Sequence, residues 1–140
     1  MSTVDTRNFT RKPIPKAPYQ ELAKAVLPSW DISLVFSGET RAQSLNKQLR
    51  NKEYIPNVLS YESGTKSGEI IICLAVAKRQ ASSYGMTYSQ YVSYLFIHGL
   101  LHLKGYPHGP TMEKQERLLL KRFISSSLIL PNGTTHRNRN

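Results

Sequence analysis

The chain has 140 residues, of which 39% are hydrophobic and 20% charged, so it is expected to be globular rather than disordered. Its formal net charge of +10 favours polyanionic partners, with nucleic acid first and an anionic membrane surface second. No apolar run approaches the ~20 residues of a membrane span, and the single Cys73 excludes an internal disulfide, so we expect a cytoplasmic protein.

The first half of the chain alternates predicted helices and strands. The polar, basic and proline-containing composition of the N-terminus predicts a flexible arm. Helical periodicity of the apolar residues predicts two helices, and alternating or β-prone residues predict two strands. The arm is predicted at residues 1–18, the two helices at 19–27 and 39–50, and the two strands at 30–36 and 57–61.

In the second half of the chain, a buried strand is predicted at residues 69–76 and three helices at 76–84, 88–104 and 113–125. A polar basic tail is predicted at residues 131–140. The continuous apolar run of the strand indicates a sheet covered on both faces. Thr87 is expected to cap the long helix, in which Tyr91, Tyr94 and Phe96 are predicted to pack in the core rather than stack on bases. The pattern predicts one α+β domain over residues 19–130, with a small mixed β-sheet packed among helices.

Three of the four histidines fall within the stretch HGLLHLKGYPHG, residues 98–109. On a helix, His98 and His102 are one turn apart and share a face. Gly105 can end the helix in a left-handed conformation, so that the chain turns back and brings His108 to the same point. Three neutral imidazoles and one water form an open tetrahedral zinc site, in which the ion lowers the pKa of bound water to about 7. The spacing therefore predicts a catalytic zinc ion.

The same spacing, H-x-x-x-H-x-x-G-x-x-H, is that of the metzincin peptidases, so we expect a metzincin-like metal helix. In those enzymes the residue after the first histidine is a glutamate that acts as general base. Here it is Gly99, which can neither accept nor donate a proton. The sequence therefore predicts the zinc scaffold without the peptidase chemistry. The fourth histidine, His136, is predicted to be a solvated residue of the tail.

Three blocks of the sequence resemble the YbeY family of bacterial rRNA maturation factors and single-strand-specific endoribonucleases. HGLLHLKGYPH, residues 98–108, resembles the family signature H-G-x-L-H-L-x-G-Y-D-H. LNKQLRNKEYIPNVLSYES, residues 45–63, resembles the block L-N-x-x-x-R-x-x-x-x-P-T-N-V-L-S-F. GEIIICLAVAKRQA, residues 68–81, resembles a strand and helix start of the family, and the blocks follow the family's order.

This resemblance implies zinc bound by His98, His102 and His108 and a zinc-dependent endoribonuclease, with Arg50 and His98 as catalytic residues. It also implies a role in rRNA processing, notably at the 3′ end of the 16S rRNA, and in ribosome quality control. The partners that it implies are RNA, the small ribosomal subunit and assembly factors such as the Era GTPase, with no membrane.

Two positions depart from the family pattern. Pro107 stands where the signature has aspartate, which removes a carboxylate able to orient a metal ligand and also removes a backbone N–H donor. Asn57 follows Pro56 directly, where the family has a threonine between them, which predicts a register shifted by one.

The basic residues supply candidate RNA contacts, and Asn57 and Ser60 are predicted either to line the cleft or to make turn and strand-edge hydrogen bonds. Guanidinium groups fork onto two phosphoryl oxygens, which suits Arg50 to the transition state of phosphodiester hydrolysis. The other residues predicted to neutralise phosphates are Arg41, Lys47, Lys52, Lys78, Arg79 and Lys104.

The sequence leaves alternatives to this function open. One is a non-catalytic ribosome-assembly factor with a structural metal, and another is a zinc hydrolase of a different class. No acidic residue is clearly placed as a general base, so the attacking group is either a water at the ion or the 2′-hydroxyl of the RNA.

Overall fold

The computed structural model describes residues 2–124, which form a four-stranded mixed sheet with helices on both faces. The strands lie in the order β1-β2-β4-β3. Strands β1, β2 and β4 run parallel, and β3 pairs antiparallel with β4. Their bounds are Thr3–Asn8 (β1), Asp31–Ser37 (β2), Val58–Gly64 (β3) and Ser67–Cys73 (β4). The predicted α+β class is confirmed.

Five α-helices pack against this sheet: α1 (Tyr19–Val26), α2 (Glu39–Arg50), α3 (Leu74–Gln80), α4 (Tyr88–Lys104) and α5 (Pro110–Phe123). A short 3-10 helix, Ala81–Tyr84, follows α3. The main core lies on one face of the sheet, where α1, α4 and α5 bury the apolar side chains of β2 and β4, such as Phe36 and Ile72. On the other face, Leu45 of α2 packs against Val35 and Ile71.

Helix α4 occupies the centre of the protein. Thr87 caps it with a reciprocal capping box that includes Gln90, and Gly105 ends it in the left-handed region at a φ of 109°. Tyr91, Tyr94 and Phe96 are buried, as their helical spacing predicts. The predicted bounds of α4 and α2 are therefore confirmed. No helix within residues 2–124 is long and apolar enough to cross a membrane.

The N-terminal segment differs from the prediction of a flexible arm over residues 1–18. Residues Thr3–Asn8 form β1, which pairs in parallel with β2 from Thr3↔Asp31 to Asn8↔Phe36. This strand is mostly exposed and polar, so it lacks the apolar alternation that reveals a strand in sequence. Long-range backbone pairing, supported by Val4 against the main core, determines its conformation.

Several element boundaries also differ from the predictions, such as that of α1, which ends at Val26, and those of β3, which spans Val58–Gly64 rather than residues 57–61. Strand β4 ends at Cys73 rather than at residue 76, because the apolar run continues into the buried first turn of α3. The helix predicted over residues 76–84 is instead α3 followed by the 3-10 turn. Helix α5 begins at Pro110, since proline suits the first turn, where no backbone N–H bond is lost. The predicted tail, residues 131–140, and His136 lie outside the described residues.

Candidate functional site

A polar cleft of about 310 Å³ opens where the segment from α2 to β3, the 3-10 turn and α4 come together. Its volume is at the lower end of the range of ligand clefts, ~300–1,000 Å³. The lining residues include all three histidines of the 98–109 stretch together with Arg50, Tyr54, Asn57, Ser60, Gln80, Tyr84 and Tyr94. Asn57 and Ser60 therefore lie in the cleft, which is the first of the two roles predicted for them.

The three histidines approach one another as their spacing predicts. His98 and His102 lie on consecutive turns of α4, and the left-handed Gly105 turns the chain back toward them. The ring centroid of His108 is 4.9 Å from that of His98 and 6.0 Å from that of His102. Pro107 is exposed in this turn. One helical turn and the bend after it thus bring three imidazoles to the cleft.

The imidazoles suit zinc by their chemistry. Histidine imidazole nitrogens are among the ligands that zinc prefers in proteins. As the side chains lie, however, no three His, Cys, Asp or Glu groups among residues 2–124 are arranged to hold a metal ion. The donor types fit zinc, whereas their placement does not form a ligand set, and zinc binding stays a prediction.

A buried carboxylate orients the first histidine. His98 Nδ1 donates to Glu116 Oε2 at 2.6 Å, and the side chain of Glu116 is 0% exposed. A neutral imidazole that donates through Nδ1 carries its lone pair on Nε2, so this bond selects the tautomer in which Nε2 would be the ligand atom for a metal. Sequence reasoning missed Glu116. Its signal is a single carboxylate in the buried stripe of α5, between Met112 and Leu120 at four-residue spacing.

A hydroxyl from the sheet contacts the second histidine. Ser60 Oγ on β3 lies 2.9 Å from His102 Nδ1, within hydrogen-bond distance. The pKa of His102 is lowered, first by partial desolvation of the ring and then by its electrostatic interactions with His98 and Arg50. The neutral form of His102 is therefore favoured, and a neutral imidazole is the form that binds metals.

Arg50 lines the border of the cleft, and its catalytic role stays a prediction. Its guanidinium Nη1 donates to the hydroxyl of Tyr54 at 2.8 Å. The segment that carries Tyr54 is fixed in turn by the buried Asn46, whose Nδ2 donates to the Tyr54 carbonyl oxygen at 2.9 Å. The end of α2 and the segment after it thus hold a permanent cation beside the histidines.

The six other basic residues predicted to bind RNA do not line the cleft, although all six are in the described part of the chain: Arg41, Lys47, Lys52, Lys78, Arg79 and Lys104. Four of them have partners within the protein, namely Arg79 with Glu39 (2.8 Å), Lys47 with Glu53, Arg41 over the ring of Phe9 (4.3 Å) and Lys104 with the carbonyl of Val26 (2.9 Å). Their contact with RNA stays a prediction.

Gly99 faces the sheet rather than the cleft. A Cβ at this position would lie 3.0 Å from Ile70 Cγ2, closer than nearly all real contacts of this kind. The helix therefore approaches β4 at a point where a glutamate side chain has no room. The structure thus gives a packing reason for the residue that argues against a peptidase.

The sheet with helices on both faces and the cleft that holds three histidines and Arg50 define an α+β protein with a polar, histidine-lined cleft. The chain belongs to the family described as Endoribonuclease YbeY, whose model matches residues 4–126. This finding confirms the resemblance seen in the three sequence blocks.

Individual relatives agree with this assignment. The chain is 38% identical over 91 residues to Endoribonuclease YbeY of Bdellovibrio bacteriovorus, covering 64% of this chain and 61% of that one. It is 36% identical over 115 residues to the protein of the same name from Nautilia profundicola, covering 76% and 83%. The solution structure of a Thermotoga maritima protein matches with a TM-score of 0.54 and 24% identity, over 72% of this chain and 73% of that one. This last likeness supports the fold.

Proposed function

We propose that this protein is a metal-dependent endoribonuclease that cleaves single-stranded RNA during rRNA processing. The observation that supports this function best is the convergence of three histidines and one arginine on a single cleft. Its relatives from Bdellovibrio bacteriovorus and Nautilia profundicola carry the name Endoribonuclease YbeY. A phosphodiester is anionic and gains negative charge in the transition state, which a cleft with a fixed cation stabilises.

The proposed cofactor is one zinc ion held by His98, His102 and His108. When bound, zinc supplies a Lewis acid next to the scissile phosphate and lowers the pKa of a water that it binds. The chain's own contribution is to keep the imidazoles neutral and oriented. Glu116 fixes the tautomer of His98, and desolvation of the His102 ring together with the charge of nearby Arg50 disfavours protonation of His102.

Arg50 is proposed to bind the phosphoryl oxygens of the scissile group. The bond from Nη1 to Tyr54 limits the rotamers of this long side chain, so less conformational entropy is lost when the phosphate binds. The guanidinium keeps its other N–H donors for two phosphoryl oxygens. This pairing orients the phosphate toward the histidines, whether water or the RNA 2′-hydroxyl attacks.

The proposed substrate is ribosomal RNA, notably the 3′ end of the 16S rRNA, and the proposed place of action is the cytoplasm. The small ribosomal subunit and assembly factors such as the Era GTPase are the proposed partners, and ribosome quality control is a further proposed role. A net charge of +10 favours binding to the RNA-rich surface of the subunit.

Cleavage of a labelled single-stranded RNA tests this function. The wild type is compared with His98→Ala and Arg50→Ala, each with and without a metal chelator. Arg117→Ala on the exposed face of α5 is the matched control for the loss of one arginine. We expect chelation and His98→Ala to abolish cleavage, and Arg50→Ala to slow it about 100-fold, as expected for one lost transition-state contact.

The outcomes separate the proposal from its rivals. Equal cleavage in all samples would mean that a contaminating nuclease acts and that the histidine cleft has no part in it. Stoichiometric zinc without turnover on any RNA would favour an assembly factor with a structural metal. Cleavage that survives chelation but is lost in His98→Ala would exclude the metal and leave an imidazole mechanism.

A further inference from the structure

The part of the cleft beyond the histidines contains an oriented pair of side-chain amides. Gln80 Oε1 accepts two hydrogen bonds, from Tyr91 Oη at 2.8 Å and from Asn57 Nδ2 at 3.0 Å. Asn57 Nδ2 also lies 3.4 Å from Tyr91 Oη. Both amide side chains line the cleft and are half-buried. Two donors on one oxygen fix which way the Gln80 amide points.

Each of these two amides keeps one polar atom that does not take part in the hydrogen bonds among Gln80, Asn57 and Tyr91. Within residues 2–124, neither Gln80 Nε2 nor Asn57 Oδ1 takes part in a hydrogen bond with the protein, and neither atom is buried without a partner. One is a double donor and the other an acceptor. A ligand that offers both an acceptor and a donor on one flat edge can bind both atoms, and the edge of a nucleobase has this property.

An aromatic surface lies beside the amides. Tyr84, on the 3-10 turn, is half-buried and lines the cleft. Its ring is supported from within the core by Tyr91 at 4.9 Å and Tyr94 at 6.0 Å between centroids. Such a supported ring loses little entropy when a planar group stacks on it, and base stacking on aromatic side chains is the usual way to hold unpaired nucleotides.

We propose that Tyr84, Gln80 and Asn57 form a subsite for one unpaired nucleobase, next to the histidines that receive the phosphate. This inference rests on the proposed function and adds a substrate contact to it. A base in a duplex is stacked on both sides and its pairing edge is occupied, so it cannot reach the amides. The subsite therefore selects single-stranded RNA through contacts to a base, while Arg50 binds the backbone.

The experiment compares two hexamer ligands that share one backbone: a 2′-O-methyl RNA hexamer of uridine and the same hexamer without bases. Their affinities are measured by fluorescence anisotropy, and electrophoresis checks that the ligands stay intact. The ratio of the two dissociation constants reports the contribution of the bases. We expect the wild type to bind the hexamer with bases about tenfold more tightly, as one stacked and hydrogen-bonded base provides.

Variants assign that ratio to the subsite. Gln80→Glu keeps the acceptor for Tyr91 and replaces the outward donor, and Gln48→Glu on exposed α2 controls for the added charge. Tyr84→Leu removes the ring, whereas Tyr84→Phe keeps it. We expect Gln80→Glu and Tyr84→Leu to lower the ratio about fivefold, while Gln48→Glu and Tyr84→Phe retain it.

Each outcome decides between the subsite and the function. A ratio near one in the wild type, or equal ratios in the wild type and Tyr84→Leu, overturns the subsite but leaves RNA cleavage intact. A wild type that binds neither hexamer overturns the proposed function as well. An equal loss of affinity for both ligands in Gln80→Glu but not in Gln48→Glu also overturns the subsite, because a backbone contact explains it.

Discussion

The hydrogen bond between His98 and Glu116 gives the sharpest test of the site. Its partners are 2.6 Å apart, and Glu116 is 0% exposed while His98 is 14% exposed. Replacing the carboxylate with leucine leaves a nearly buried Nδ1–H donor without an acceptor, which costs about 2 kcal/mol. Glu116→Gln keeps an acceptor oxygen but loses the charge, which roughly halves the strength of the bond, so we expect a loss of about 1 kcal/mol.

Two measurements check this series. In urea unfolding followed by circular dichroism without metal, we expect Glu116→Leu to lower the midpoint by about 1 M, given a slope of about 2 kcal/mol per M. In zinc competition with a chromophoric chelator, we expect Glu116→Leu to bind zinc about 10- to 100-fold more weakly, because Nε2 of His98, the proposed ligand atom, is no longer oriented. Glu21→Gln on the exposed face of α1 is the control for a lost carboxylate.

One pattern of results would refute this reasoning. If Glu116→Leu unfolds at the wild-type midpoint and binds zinc as tightly as the wild type, the carboxylate neither pairs with His98 nor orients it. A loss of stability with unchanged zinc affinity would separate the two effects and restrict Glu116 to a role in the core.

Three further predictions concern the rest of the fold. We expect Gly99→Ala to lower the free energy of unfolding by about 1–3 kcal/mol in urea, because the added Cβ would lie 3.0 Å from Ile70 Cγ2. If the variant is as stable as the wild type, α4 can shift away from β4. Burial raises the pKa of the Cys73 thiol, so we expect iodoacetamide to label Cys73 only after the protein is unfolded. As a control, the exposed thiol introduced by Ser83→Cys should react in the folded protein. Burial and a hydrogen bond to Glu69 raise the pKa of Tyr61 to about 12, so its stabilising contribution is complete below pH 10 and is lost as the pH rises to 12. In ultraviolet titration, we expect the late absorbance change of Tyr61→Phe to be smaller than that of the wild type by the contribution of one tyrosine.

Local signals in the sequence predicted the part of the site carried by one helix. The helix over residues 88–104, its cap at Thr87 and its end at Gly105 follow from periodicity and capping chemistry, which depend on neighbours in the chain. Given that helix, the four-residue spacing places His98 and His102 on one face, so their proximity required no knowledge of the fold.

The missed features depend on contacts between distant parts of the chain. Glu116 reaches His98 from another helix, and neither helix alone shows that the two will meet. The amide network is similar, because Gln80 is the last residue of α3 while Asn57 directly precedes β3. For Glu116, a polar residue at a position suited to the core was the available signal, and in both cases the partner is identified only when the helices dock on the sheet.

Strand β1 has a consequence for how molecules of this protein behave toward each other. Strand β1 pairs with the edge of β2, in which residues Leu34 to Phe36 are buried. The exposed side chains of β1 include Asp5 and Arg7. Charged outer edges are poor templates for strands of another copy. Trimming residues 2–8 would expose the backbone edge of β2 beside its buried apolar side chains, so insolubility is the first result to expect from shortening the N-terminus.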